Sequence, residues 1–560
     1  MSGADRMSPE ERPVDQERPG TEGRADAVVH GRDGRTPPGT GPAGPAEPAG
    51  PAEPAVAAEP AEDDWRSLDR HTVLVSALVT AGVAAGAAVP LTLGLAGHLG
   101  SGPAVARVVL GAVVLIAVGA GGDLVRWRRT RYRIGAGRVE LHSGLLLVKK
   151  RALARERVRS VDLTAHPLLR VLGLVTVRIG TGEHVGGDSA LKLDPVSRAE
   201  GERLRHVLLS RTATGRYSSH RQGELAVLDL RWIGYAPVSF VAPALGGAAL
   251  GAVLQVSDWL GAQGKVIDWA GERFRETPLF WAVVAVVAAT AAAGVIGALG
   301  LWVEMWWNYR LEREPGGTLR IRRGLLTSRS VSIEERRLRG VDLVEPLGVR
   351  LLGAARVDAI TTGLAQDDEE ERGDHDTLLP AAPRALADTV AAEVLRAAVS
   401  PTAAPLTPHP PAAHRRRLRR WLAAALLPTL ALTVLGATLT PALYWAAGGC
   451  AVVLGPVAAL FARDAYRALG HTLSGDHLVT RSGTLRRSTA ALERAGVIGW
   501  TVRQSYFQRR AGLLDVTATT AAGAGAYTVY DTGVAEGLRF ASDAVPGLLE
   551  PFLEPATNQR

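Results

Sequence analysis

Basic side chains are the residues whose types and spacing most clearly suggest a binding function. Two clusters follow a Gly-Leu-Leu sequence, one in the first third of the chain and one near its middle. The candidates are Lys149, Lys150, Arg151, Arg155 and Arg157 in the first cluster and Arg329, Arg336 and Arg337 in the second. Guanidinium and ammonium groups bind phosphate, so anionic lipid head groups are the candidate ligands. The alternatives are charge that only sets membrane topology, or ion pairs with the neighbouring Glu156, Glu334 and Glu335.

Other reactive groups do not form a recognisable site. The sequence has no HExxH, GxSxG or GxxxxGK[ST] motif, and Cys450 is its single cysteine. His142, His166 and His184 share one region without counterparts in the next copy of the repeat described below. The acidic run at 367–376 could hold a divalent cation, but a solvated loop is the favoured interpretation. We therefore expect no catalytic residue, no metal site and no cofactor.

Six apolar segments, grouped in three pairs, organise the chain around a membrane. Each approaches the roughly 20 residues that cross a hydrocarbon core of about 30 Å. The segments are 72–96, 104–124, 233–256, 279–303, 422–439 and 442–461. Buried helices of a soluble protein are the alternative, but such helices are rarely so free of charge. The sequence predicts six transmembrane helices in three hairpins.

Basic residues at the ends of these segments predict the orientation of the hairpins. The turns within the first and third pairs hold no Lys or Arg, whereas arginine runs at 126–133 and 415–420 border the opposite ends. The turn of the second pair, with Lys265, Arg273 and Arg275, agrees less well. Because positive charge concentrates on the cytoplasmic side, both termini and all regions between the hairpins are expected in the cytoplasm.

The overall charge does not point to nucleic acid. The chain carries 64 Lys and Arg against 56 Asp and Glu, a net charge of +8. A basic balance is compatible with nucleic-acid binding, but it also follows from the cytoplasmic bias of charge in membrane proteins. Because aromatics are sparse on the predicted strands, we expect no nucleic-acid partner.

One module is repeated three times, once behind each hairpin. The first two copies share Tyr-Arg, Gly-Leu-Leu and Val-Asp-Leu sequences, and the third keeps the same spacing. A glycine precedes a strand residue by seventeen positions, and a second glycine follows twelve positions later. The three sets are Gly144, Val161 and Gly173; Gly324, Val341 and Gly353; and Gly483, Trp500 and Gly512. Such conserved order indicates duplication of a domain.

Each copy has the pattern of a small antiparallel β module. Apolar and polar residues alternate around Val139 and Leu319, and Gly-rich turns separate the alternating runs. Apolar residues at helical spacing then close each copy, at 199–209, 385–398 and 544–553. A curved sheet capped by one C-terminal helix is expected in each module.

These boundaries divide the chain into alternating hairpins and modules. The low-complexity Pro/Ala/Gly segment at the start cannot bury enough apolar surface to fold and is expected to be disordered. The predicted divisions are a tail at 1–64, hairpin 1 at 65–126, module 1 at 127–215, hairpin 2 at 216–306, module 2 at 307–400, a Pro-rich linker at 401–414, hairpin 3 at 415–465 and module 3 at 466–560.

Module 1 and the span pair before it resemble a known family. The sequences that carry the resemblance are Tyr-Arg-Ile, Gly-Leu-Leu, Val-Asp-Leu and Leu-Gly-Leu-Val-Thr-Val-Arg-Ile. Module 1 with its span pair is similar to the bacterial pleckstrin-homology (PH)-like domains of YdbS/YdbT-type membrane proteins. The resemblance covers roughly 65–555 and implies an α+β membrane protein in which each hairpin precedes a cytoplasmic PH-like β-barrel with a C-terminal helix. Module 3 departs most, since Trp500 stands where Val161 and Val341 stand.

The resemblance also implies a type of function. It brings no catalytic residues, and it implies a one-module YdbS-like membrane protein as partner, a bacterial cell-membrane location, and a role in envelope stress or resistance to membrane-active peptides. A non-enzymatic membrane scaffold, or a platform for lipids and proteins, is the favoured hypothesis. A transporter or efflux component is the alternative, although the spans lack the polar groups near mid-bilayer that transport requires.

Overall fold

A computed structural model describes most of the chain after its N-terminal segment. The described residues are 65–135, 137–144, 148–158, 160–180, 191–209, 223–239, 241–259, 261–362 and 376–553. The predicted tail at 1–64, His184 and nearly all of the acidic run at 367–376 lie outside the described residues.

The α-helices of the described residues are numbered in chain order. They are α1 Thr72–Leu99, α2 Ser101–Arg129, α3 Pro167–Val171, α4 Arg198–Leu209, α5 Val241–Trp259, α6 Gln263–Phe274, α7 Leu279–Trp306, α8 Leu347–Leu351, α9 Arg384–Leu395, α10 Pro411–Thr438, α11 Ala442–Arg467, α12 Tyr506–Ala511 and α13 Val534–Ala544.

Six of these helices are long and apolar enough to cross a bilayer, namely α1, α2, α5, α7, α10 and α11. The prediction of three hairpins is therefore confirmed. Helix α5 begins at Val241 instead of 233, because the preceding residues form a 3-10 turn that buries Trp232 against Tyr309. Large apolar side chains such as Val118 are mostly exposed on the spans, as expected where lipid covers them.

The strands form four antiparallel sheets. They are β1 Arg66–Ser67, β2 Arg131–Ile134, β3 Arg138–Ser143, β4 Lys149–Ala154, β5 Ser160–Ala165, β6 Leu174–Gly180, β7 Leu191–Ser197, β8 Gly223–Val227, β9 Arg310–Glu314, β10 Thr318–Arg323, β11 Ser328–Glu334, β12 Leu338–Pro346, β13 Ala354–Thr361, β14 Thr377–Pro383, β15 Gly470–Ser474, β16 His477–Ser482, β17 Arg486–Glu493, β18 Val497–Arg503, β19 Leu513–Thr520 and β20 Ala526–Gly533.

Successive modules share sheets. The strand orders are β1-β2-β3-β4, then β7-β6-β5-β11-β10-β9-β8, then β14-β13-β12-β17-β16-β15, and finally β18-β19-β20. Each module places its first strands in one sheet and its last three strands in another. The seven-stranded sheet therefore joins modules 1 and 2, and the six-stranded sheet joins modules 2 and 3.

The core of a module lies between its two half-sheets. In module 1, Val139 of β3, Val161 of β5 and Leu204 of α4 belong to one buried cluster. In module 2, Trp302 and Trp306 from the end of α7 join the equivalent cluster. Burial of these apolar side chains is the main stabilising contribution to each module, and in module 2 it also fixes the module to its membrane span.

The β-barrel implied by the family resemblance is not closed among the described strands. Closure would need the fourth and fifth strands of a module to pair with each other. Instead, β5 pairs with β11 of module 2, and β12 pairs with β17 of module 3. The edge that would close a barrel has its main-chain hydrogen-bonding groups satisfied by the next module.

The closing helices of modules 1 and 2 are confirmed as α4 and α9, but the third prediction was wrong. Module 3 closes with α13, Val534–Ala544, and not with a helix at 544–553. The predicted segment contains Pro546, Gly547 and Pro551, which oppose helix formation. Gly537 instead lets α13 lie against the sheet, since a Cβ there would contact Leu514 too closely.

Candidate functional site

Two junctions join the modules through main-chain pairing. Junction 1 is the pairing of β5 with β11, and junction 2 is the pairing of β12 with β17. The Leu of the repeated Val-Asp-Leu sequence lies opposite the same module position in both: Leu163 faces Ser330, and Leu343 faces Thr489. Junction 2 continues over seven residue pairs. The modules are therefore assembled twice in one register.

An arginine beside each junction reinforces the pairing. Arg170 of α3 donates to the carbonyl of Leu325 in the next module. Arg350 occupies the same position in α8 and donates to the carbonyl of Thr484 at 3.3 Å. Arg350 also pairs with Asp464 of α11 at 2.9 Å. These contacts fix the short helix of one module to the β-turn of the next.

A four-residue ionic network adds to junction 1. Arg205 of α4 is 2% exposed and lies 3.1 Å from Glu202 and 2.6 Å from Glu314 of module 2. Arg320 of β10 lies 2.6 Å from Glu202 and 3.2 Å from Glu314. Two arginines and two carboxylates thus alternate across the junction. Each buried charge has partners of opposite sign, which such a position requires.

The pKa values of Glu202, Glu314 and Arg205 reflect the pairing. Burial is the largest influence on each of these three pKa values and opposes the charge. Hydrogen bonds and charge from Arg320 and Arg205 nevertheless lower the pKa of Glu202 below its usual range. Arg205 and Arg320 likewise lower the pKa of Glu314, and the two carboxylates raise the pKa of Arg205. These three groups therefore stay ionised at neutral pH.

An arginine-lined cleft, about 360 Å³ in volume, opens at junction 1. Its lining includes Arg170, Arg198, Arg310, Arg320, Arg322, Arg323 and Arg329, and Glu202 is the one acidic residue among the described residues that line it. The side chains come from α3 and α4 of module 1 and from β9, β10 and β11 of module 2. Convergent guanidinium groups suit a ligand with several anionic oxygens, such as a phosphate group.

The cleft is fixed against the end of a membrane span. Arg323 lies 4.5 Å from the ring centre of Trp306, the last residue of α7. Burial, followed by the charge of Arg329, lowers the pKa of Arg323 to about 10, so the group remains cationic at neutral pH. Glu304 of α7 accepts hydrogen bonds from the amides of Leu326 and Thr327, each at 2.9 Å. The arginines therefore lie where the span meets the module.

Junction 2 has the same backbone without this excess of charge. The positions of Arg310, Arg320, Arg323 and Arg329 are occupied there by Gly470, Val479, Ser482 and Ser488. Among the arginines that remain, Arg481 donates to main-chain carbonyls. Arg350 and Arg384 have acidic partners. Arg384, for example, lies 2.7 Å from Glu345 and 3.0 Å from Asp388. The positive cleft is therefore specific to junction 1 and is not a general consequence of the fold.

The first basic cluster predicted from the sequence lies away from the cleft. Lys149, Lys150 and Arg151 lie on β4, at the edge of the first sheet, and Lys150 is exposed. Arg155 and Arg157 lie in the following 3-10 turn, where Arg155 donates to the carbonyl of Val207. A lipid or partner contact at this cluster stays a prediction.

The second cluster is divided between the cleft and internal ion pairs. Arg329 lines the cleft. Arg336 and Arg337 lie 3.0 Å and 2.7 Å from Glu334, as the ion-pair alternative anticipated. Arg337 also donates to the carbonyl of Val158 in module 1 at 3.0 Å. A ligand role for this cluster likewise stays a prediction.

The remaining arginines of the cleft were not predicted as site residues from the sequence. Arg310, Arg320 and Arg323 lie on predicted strands, where they resembled ordinary solvent-facing charges. The available signal was the comparison of copies, since module 3 has Gly470, Val479 and Ser482 at these positions. Their convergence with module 1 depends on the shared sheet, which the separate-module prediction did not include.

Comparison with known proteins agrees with the repeated modules. The model of the bacterial PH domain family matches residues 83–212, 230–398 and 419–542, which together exceed half of the chain. The chain belongs to the bacterial PH domain family. Each matched range includes a span and most of the module that follows it, so the three bacterial PH modules correspond to the three copies of the repeat.

A curated transmembrane protein is similar to most of the chain. The chain is 23% identical over 427 residues to the UPF0699 transmembrane protein YdbT of Bacillus subtilis (strain 168), covering 73% of this chain and 83% of the relative. No solved structure is a significant match for the chain. Three bacterial PH modules behind six candidate spans make this a multi-pass membrane protein with membrane-associated interaction modules.

The ionic network makes a prediction for stability. Replacing Arg205 with Ala leaves Glu202 and Glu314 with too little positive charge, which should cost about 3 kcal/mol, the lower end of the range for breaking a buried pair. The thermal unfolding midpoint of the purified protein in detergent measures the loss. Adding Glu314→Gln should recover part of it, because Glu202 and Arg320 then form a balanced pair. Losses that simply add would contradict the charge explanation.

Proposed function

We propose that this protein is a non-enzymatic membrane scaffold whose three bacterial PH modules form one continuous platform on the bilayer surface. The observation that carries this proposal is the repeated register of the two junctions. Modules joined by main-chain pairing cannot move independently without losing hydrogen bonds, each worth about 0.5–1.5 kcal/mol. Such a body suits the holding of other molecules in fixed positions along a membrane.

The arginine cleft supports an anionic lipid head group as one ligand of this platform. It lies at the end of α7, where a phosphate at the bilayer surface would meet it. Each Lys or Arg near an anionic leaflet is attracted by about 1 kcal/mol. The side chains in the cleft would add directed hydrogen bonds to that attraction.

Lipid retention tests this ligand. The variant Arg310→Ser/Arg329→Ser places small residues where junction 2 also has them, and should reduce retention of an anionic lipid by roughly tenfold or more, since two cationic contacts are lost. Native mass spectrometry of protein released from phosphatidylglycerol and phosphatidylethanolamine nanodiscs measures the bound lipid.

The control removes the same charge from the connection between α5 and α7. Arg273→Ser/Arg275→Ser should leave retention unchanged, because neither residue lines the cleft. Equal retention of the two lipids by the wild-type protein, or an equal loss in both variants, would contradict the proposed ligand.

The proposal has three further parts. They are a cytoplasmic orientation of the modules in a bacterial cell membrane, a one-module YdbS-like partner and a role in envelope stress. The arginine runs at 126–133 and 415–420 support the orientation, and the family resemblance supports the partner and the role. A membrane-permeant amine crosslinker applied to intact cells should capture a membrane partner, whereas an impermeant one should not. Capture by both reagents would reverse the orientation.

Deletion of this protein tests the stress role. Unchanged sensitivity of the cells to membrane-active peptides would remove that role.

A further inference from the structure

Two strands lie at sheet edges although their counterparts are paired across a junction. Strand β18 occupies the module position of β5 and β12, and among the described strands it pairs only with β19. Strand β4 occupies the position of β11 and β17, and among the same strands it pairs only with β3. One chain therefore carries both halves of a further junction, one half in module 3 and the other in module 1.

The exposure of β18 indicates a missing neighbour. Val502 is 42% exposed, whereas its counterparts Leu163 and Leu343 are 5% and 0% exposed. The adjoining helix α12 adds Phe507, which is 73% exposed. Exposed apolar side chains along a strand with one unpaired edge are characteristic of a surface that another strand covers.

Strand β4 is likewise more exposed than its counterparts in the junctions. Ala152 is exposed, whereas its counterparts Ser332 and Ala491 are fully buried within the junctions. Lys149 of β4 does not exclude pairing, because it stands at the position of Arg329, which lies opposite Thr164 within junction 1. Lys150 stands where the two existing junctions have Ser330 and Thr489.

The two free edges complement each other at a position where junction 2 uses charge. Across junction 2, Arg339 and Glu493 form an ion pair of 2.7 Å. Ile498 of β18 stands at the position of Arg339 and is 63% exposed. Ala154 of β4 stands at the position of Glu493. Both charges are replaced together by apolar residues, so this position would not bury an unpaired charge between the two edges.

The arginine that reinforces the existing junctions is also present in module 3. Arg509 lies three residues before Gly512, as Arg170 and Arg350 lie before Gly173 and Gly353. Its side chain is exposed, and it makes no hydrogen bond or ion pair to a side chain within the described part of the chain. Module 3 thus retains the parts of a junction without a following module.

We propose that β18 of one chain pairs with β4 of a second copy of this chain, so that the shared-sheet arrangement continues between molecules. The register of junctions 1 and 2 would place Val502 opposite Lys150 and Trp500 opposite Ala152. Such strand addition supplies main-chain hydrogen bonds, while the side chains set specificity. Because the contact is head-to-tail, it produces rings or chains within the membrane plane. The assembly is independent of the lipid ligand proposed above.

A charge exchange tests the pairing directly. Ile498→Arg or Ala154→Glu in every copy should weaken association by at least about tenfold, since each places a lone charge against an apolar partner. Mixing the two variants should restore association to within roughly threefold of wild type, because the mixed contact recreates the Arg339–Glu493 pair. Energy transfer between donor-labelled and acceptor-labelled full-length protein in liposomes measures association.

Three results would overturn the proposal. The first is wild-type energy transfer no greater than that of an unrelated membrane protein at the same density. The second is failure of the mixed Ile498→Arg and Ala154→Glu chains to recover association. The third is a photocrosslinker at position 502 that captures a different protein instead of position 150 of a second copy.

Discussion

The structure depends on the edges of two β-strands. Strands β5 and β12 each have one side paired within their module, and the other side would expose unpaired amides and carbonyls. The next module covers that side with one of its own strands, β11 or β17, in the same register at both junctions. The modules therefore do not close into separate barrels, and three copies of a small domain become one body behind six candidate spans.

The same backbone pairing is combined with different side-chain charges at the two junctions. Junction 1 holds Arg205, Arg320 and their carboxylate partners, whereas junction 2 has Ala391 and Val479 at the two arginine positions. A buried ionic network and an apolar contact can serve equally well in one place if each is internally complete. Arg310, Arg323 and Arg329 have no arginine counterparts at junction 2, although the modules are joined there in the same register, which is why the cleft is the stronger candidate for ligand binding.

Much of the architecture could be predicted from the sequence, because its signals are local. The hydropathy pattern predicted the six spans, and the recurring spacing from Gly324 to Val341 indicated the repeat. Pairing between modules leaves no local signal in the sequence, because the residues of β5 predict an ordinary buried strand whichever strand pairs with it. The cleft was missed for the same reason: Arg170 and Arg323 are far apart in the chain and meet only because the sheet is shared.

Directed disulfide formation across junction 2 tests the shared sheet most directly. In a chain with Cys450 replaced by Ser, cysteines at the opposite positions Val344 and Ser488 should crosslink readily, because directly opposed residues of antiparallel strands lie within disulfide range. Cysteines at Val344 and Thr489, one residue out of register and on opposite faces, should not. Mass spectrometry of the oxidised, digested protein distinguishes the two. Equal crosslinking of both pairs, or of neither, would contradict a sheet shared between modules.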